Sequence, residues 1–125
     1  MEERLLRFGA DKGWEVDGRF VTVEVTGGRR QTVRCEAVDE GDGRMFRVST
    51  IVGDSSAMSA VRLRAALGLN WRIRYGSLAI HDKMLVMTHF FTDSKVSDAI
   101  IAEVIQYLAM TADTYEEHLF GDDEN

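Results

Sequence analysis

Residues Leu69–Leu119, LNWRIRYGSLAIHDKMLVMTHFFTDSKVSDAIIAEVIQYLAMTADTYEEHL, decide how this chain folds. The arms SLAI and MLVMTHFF flank a polar turn, His81-Asp82-Lys83, which predicts a hairpin. Upstream, Trp71, Ile73 and Tyr75 alternate with Asn70, Arg72 and Arg74, so strand signal extends back to residue 71, interrupted by Gly76. Downstream, a helix is expected to start between Asp93 and Ser97, both good caps. Ile101, Val104, Leu108, Tyr115 and Leu119 then recur at three- and four-residue spacing, with Ile100 and Ile105 broadening the stripe. Acidic residues in its last turn oppose the helix dipole, so that end should fray unless packed. Both parities of MLVMTHFF are largely apolar, and both faces of that strand therefore need cover. One face can pack on the final helix; the other needs a second layer or a second protein chain.

The rest of the chain supplies a frame. EERLLRFGADK (2–12) reads as a short helix with Leu5, Leu6 and Phe8 inward, stopped at Gly13. In FVTVEV, Val21, Val23 and Val25 share a face opposite Thr22 and Glu24, and Gly27-Gly28 supplies a tight turn. QTVRCEAV puts Val33, Cys35 and Ala37 together; the loop DEGDG (39–43) leads to a third strand, MFRVSTIV. Three such strands make an antiparallel meander with one wet face. A helix is expected near 57–67, carrying Ala60, Val61, Leu63 and Leu67, with caps among Asp54, Ser55 and Ser56 and Gly68 as its stop. The expectation is an α+β fold: an antiparallel sheet in the order α-β-β-β-α-β-β-α, with the long C-terminal helix packed on it. Residues 1–120 form one domain, and 121–125 (GDDEN) a disordered acidic tail.

Composition narrows the class. With 45% hydrophobic and 29% charged residues the chain is an ordinary globular sequence. No leader or membrane-spanning run is apparent, and a lone Cys35 fits a reducing compartment, so the cytoplasm is expected. Residues 1–68 carry 11 basic and 11 acidic side chains, while 69–125 carry 4 and 10, so the net charge of −6 comes from the second half. That end repels phosphate backbones and anionic lipid, which argues against nucleic acid and membrane as partners.

Candidate chemistry is sparse. His81, His89 and His118 lack the spacing of zinc ligands, and Cys35 falls on the apolar parity of its strand with Arg34 on the opposite face. DEGDG lacks the register of a calcium loop, and the pairs Glu116-Glu117 and Asp122-Asp123 stand in solvated places. No catalytic, cofactor-binding or metal-binding residue is therefore assigned. Trp71, Tyr75, Met84, Met87, Phe90 and Phe91 form the one ambiguous cluster: core of the second hairpin, or an adaptable surface for a dimer or a peptide.

In element order and in LGLNWRIRYGSLAIHDKMLVM followed by SDAIIAEVIQYLAMTADTYEEHL, the chain resembles the YbjN family of bacterial proteins. LLRFGADKGWEVDGRFVTVEV resembles that family's opening helix, short extended piece and first strand. The resemblance implies the fold of class I type III secretion chaperones, and with it a small, acidic, dimeric, non-enzymatic protein that holds extended segments of a partner. The functional expectation is a protein-binding module that forms a homodimer and engages an extended peptide, by adding a strand to its sheet. The alternatives are a stress-linked regulator acting through a fixed protein partner, and a small enzyme using His89 or His118 as base.

Overall fold

Caps and turns set the element boundaries. The computed structural model describes residues 2–40, 43–92 and 95–121. Helix α1 (Glu2–Lys12) ends where Gly13 takes φ +75 and Trp14 N donates to the Gly9 carbonyl at 2.8 Å. Leu5 and Phe8 are buried, but Leu6, expected inward, points out. Successive helical residues turn by about 100°, so 5 and 8 share a face that 6 does not.

A three-residue strand β1 (Glu15–Asp17), too short for its alternation to register, pairs with β2 (Phe20–Glu24). The turn at Gly27 and Gly28 leads to β3 (Arg30–Glu40), followed by β4 (Gly43–Asp54). Of the expected loop DEGDG, 39, 40 and 43 belong to these strands, and 41 and 42 lie outside the described residues.

Helix α2 (Ala60–Leu69) starts later than expected, because Ser59 is its cap, accepting from Arg62 N at 3.2 Å. Asp54 instead caps a short 3-10 turn at Ser55–Ala57, and Gly68 lies inside the last turn of α2. Residues 70–76, expected as strand, form turns and bends. The N–H groups of Asn70, Trp71 and Arg72 donate back to Leu67, Gly68 and Leu69, so the chain keeps coiling after α2. The expected hairpin is β5 (Ser77–His81) with β6 (Met84–Phe91). Its turn residues Asp82 and Lys83 take φ of 49 and 67, the left-handed values of a two-residue hairpin turn.

Helix α3 (Asp98–Glu116) is capped by Ser97, which accepts from Ile100 N at 3.3 Å. Asp93, the other expected cap, lies outside the described residues. A π-helical turn, Glu117–Gly121, extends α3. Of the expected tail, Gly121 closes that turn and 122–125 lie outside the described residues.

The strands form one six-stranded antiparallel sheet, β1-β2-β3-β4-β6-β5. Meander and hairpin are thus joined through β4 and β6, and the order differs from the expected one by the added β1. The fold is α+β, with the C-terminal helix on the sheet. Helix α3 crosses β3 and β4, α1 lies beside it, and α2 runs along β5. Val21, Val33, Cys35, Val48, Leu85 and Met87 meet Ile101, Val104, Ile105 and Leu108 in one buried core. Ile100, expected to broaden the α3 stripe, is exposed.

Two contacts pin the end of α3. Asp113, nearly buried, accepts two hydrogen bonds from Arg29, at 2.9 and 2.7 Å, and Glu117 adds a contact to the same guanidinium at 3.2 Å. Arg29 holds the Asp113 carboxyl below its ordinary range and offsets the adverse charge–dipole interaction expected at that end. Beyond it, Phe120 packs on Gly53, where a Cβ would fall 2.5 Å from the ring. There β4 bulges, its register to β6 shifting between Ile51 and Gly53.

Candidate protein-binding face

Strand alternation sends half of the sheet's side chains away from the helices. One row across the strands is Phe20, Arg34, Ser49, Thr88 and Ser77; another is Ile51, Val86 and Ala79; a third is Glu36, Arg47 and Phe90. On this face Phe20 and Ile51 remain 47% and 54% exposed. A shallow cleft of about 520 Å³ is lined there by Phe20, Thr32, Arg34, Ile51, Met84 and Val86 among others, with Glu116 of α3 also in its lining. It is large enough for one or two apolar side chains.

The rim is polar. Arg34 and Arg47 approach Glu36 at 3.2 and 3.9 Å, and the Arg47 guanidinium lies 5.3 Å from the Phe90 ring centre. At the other end His81 meets Asp82 at 3.3 Å. Exposed pairs like these contribute about 0–1 kcal/mol to folding, so their effect is to set charge around the cleft. On the same face the Thr88 hydroxyl is buried without a hydrogen-bond partner among the described residues.

The outer edge of the sheet is partly closed. Asn70 accepts from Leu78 N at 2.6 Å and donates to the Leu78 carbonyl at 3.3 Å. Its amide thus occupies the two groups that an added strand would use at that point on β5. The opposite edge, β1, is three residues long.

The six residues of the ambiguous cluster separate. Met84 and Phe90 lie half-buried on the open face. Met87 and Phe91 are in the core on the helix side, Phe91 stacked on Phe46 at 4.6 Å. Tyr75 is half-buried between Tyr107 and His89, at 5.4 and 6.1 Å, and its hydroxyl contacts Glu103. Trp71 projects after α2, 94% exposed. Phe20, Arg34 and Ile51 lie outside the sequence-expected cluster, although Phe20 and Ile51 are apolar side chains at wet-face parities, the signal that marks them.

Cys35 and His89 flank Val48 in one cross-strand row. Cys35 is buried, its thiol pushed up to about 12 by desolvation. His89 is half-buried against Tyr75 and Phe91, and burial lowers its pKa; His81 and His118 are exposed. Among the described residues no three His, Cys, Asp or Glu side chains are grouped to hold a metal, and no helix is long and apolar enough to cross a membrane. No protein-family model and no curated protein matches the chain.

Proposed function

We propose that this protein is a non-catalytic protein-binding module that holds an extended segment of a partner on the open face of its sheet. One observation carries the reading: a cleft in which Phe20, Ile51, Met84 and Val86 stand among polar and charged side chains, Glu116 of α3 included, lies on the sheet face turned away from the buried core. The partner lies across the strands instead of extending the sheet, since Asn70 occupies the β5 edge at Leu78. Burying one or two apolar side chains yields about 1.5–3 kcal/mol each before the entropy of ordering the segment is subtracted. On those contacts alone, affinity for an isolated segment is weaker than about 40 μM. The burial of Cys35, its thiol raised to about 12, and the exposure of His81 and His118 support a binding role over a catalytic one. The lone buried thiol supports a reducing cytoplasm. The one-sided antiparallel sheet with its C-terminal helix supports the YbjN-like, secretion-chaperone-like reading of the fold.

Selection of a random-peptide display library on the wild-type protein, repeated on Ile51→Asp, tests this. Ile51 is exposed, so the variant retains its fold. Apolar peptides enriched on wild type and lost on the variant are the expected outcome. Enrichment that ignores Ile51→Asp refutes the assignment of the face.

A further inference from the structure

Between Asp54 and Asp82 the chain has four arginines and no acidic residue, although its net charge is −6. The count by halves divides this stretch after residue 68 and so conceals it. The stretch contains α2 and the turns that follow, and α2 is lightly packed: of its ten residues only Ala66 is buried. Arg62, Leu63 and Leu69 are half-buried on the same side. At about 100° per residue, Ala60, Val61, Arg64 and Leu67 share an outward arc of about 120°, and the coil that continues after α2 brings Trp71 to it. Val61, Leu67 and Trp71 are 77%, 59% and 94% exposed. The outward face of an ordinary surface helix carries polar and charged side chains; this one carries apolar side chains around a single arginine.

The arginines are available. Arg4, Arg7, Arg29, Arg30, Arg34 and Arg47 each form an ion pair. Among the described residues none is seen for Arg64, Arg72 or Arg74, and all three are exposed. Arg64 is a helical neighbour of both Val61 and Leu67, so a ligand that fills this face must offer anionic oxygen and apolar surface side by side. A nucleic acid offers the phosphate but leaves Val61 and Leu67 in water. A peptide is best held in a groove, and a helix standing out on one buried side chain is convex. The boundary between headgroups and acyl chains in an anionic bilayer offers phosphate and hydrocarbon in one plane, and tryptophan is favoured there.

We propose that α2 and the turn after it form a peripheral docking surface for an anionic lipid bilayer. Val61, Leu67 and Trp71 enter the boundary region, while Arg64, Arg72 and Arg74 take the lipid phosphates, their stems lying along the apolar surface. The contact is peripheral, since no described helix is long and apolar enough to cross a membrane. Charges are screened over about 8 Å at physiological salt, so the acidity of the rest of the chain directs the approach to this face. The surface shares no residue with the cleft of Phe20 and Ile51, so lipid docking and peptide binding succeed or fail independently.

Co-sedimentation of the full chain with vesicles decides it, comparing mixed phosphatidylcholine and phosphatidylglycerol with phosphatidylcholine alone. Trp71, Arg64 and Arg72 are exposed, so circular dichroism of their variants should match wild type. Wild type should partition onto the mixed vesicles, weakly or not at all onto phosphatidylcholine, and less as salt is raised. Each arginine removed should weaken partitioning roughly fivefold, so Arg64→Gln/Arg72→Gln weakens it roughly twenty-five-fold, and Trp71→Ser roughly tenfold. Tryptophan emission should move to shorter wavelength on the mixed vesicles in wild type and not in Trp71→Ser. Failure of wild type to bind the mixed vesicles overturns the proposal, as does binding indifferent to both variants. Binding to a single-stranded oligonucleotide in place of the vesicles overturns the choice of lipid.

Discussion

Replacing Gly76 by alanine tests how firmly the loop after α2 is fixed to the sheet. Gly76 has φ +75, and a Cβ there would fall 2.3 Å from the Thr88 carbonyl oxygen, 3.0 Å from its carbonyl carbon and 3.2 Å from His89 Cβ. Thr88 lies on β6 between β4 and β5, so its backbone cannot retreat without straining two ladders. Two penalties add: about 1–2 kcal/mol for a left-handed alanine and about 1–3 kcal/mol for overpacking against fixed atoms. Their sum, about 2–5 kcal/mol, is a large share of the 5–15 kcal/mol that typically separates folded from unfolded. Gly13 is the control, with the same φ of +75 and nothing within 4 Å of its built Cβ, so Gly13→Ala carries only the first penalty. Urea unfolding followed by circular dichroism should show Gly76→Ala less stable than Gly13→Ala by about 1–3 kcal/mol, at unchanged m. Equal losses would refute the close approach of the loop to β6.

Two further perturbations address the core and the helix end. Leu108 is fully buried in the stripe of α3, and Leu108→Ala should destabilise by about 2–5 kcal/mol in the same urea assay; a loss under about 1 kcal/mol would contradict its burial. Asp113 has a lowered pKa because Arg29 hydrogen-bonds its charged form, so its contribution is present above the ordinary value of 3.8 and is lost as pH falls through the depressed one. Asp113→Asn should therefore flatten the fall in stability between about pH 5 and pH 2, and a variant with the wild-type acid profile would show that the pair contributes nothing.

Much of this fold follows from local pattern. The alternation of Val21 and Val23, the parity of Cys35 and the stripe through Ile101, Val104 and Leu108 all have the burial that their spacing implies. The strand expected at Trp71, Ile73 and Tyr75 fails for a tertiary reason. Those aromatic and β-branched residues alternate, but the carbonyls of α2 capture the next N–H groups, and Tyr75 is drawn sideways onto Tyr107. Local alternation cannot register that competition. The candidate site was half legible. The two apolar parities of MLVMTHFF indicated a face in need of cover, and Met84 and Phe90 lie on it. Phe91 and Met87 belong to the other parity of the same strand, and a single strand does not reveal which parity faces the helices. Phe20 and Ile51 reach the cleft only because β2, β3, β4 and β6 are neighbours, a property of sheet order.

The most direct test of the central claim is a methyl-NMR titration of the wild-type protein with a display-selected apolar peptide. Shifts are expected at Ile51, Val86 and Met84, with Val61, Leu67 and Met110 on the helix side left in place. Shifts confined to the helix side, with the Ile51 and Val86 methyls unmoved at saturation, would contradict it.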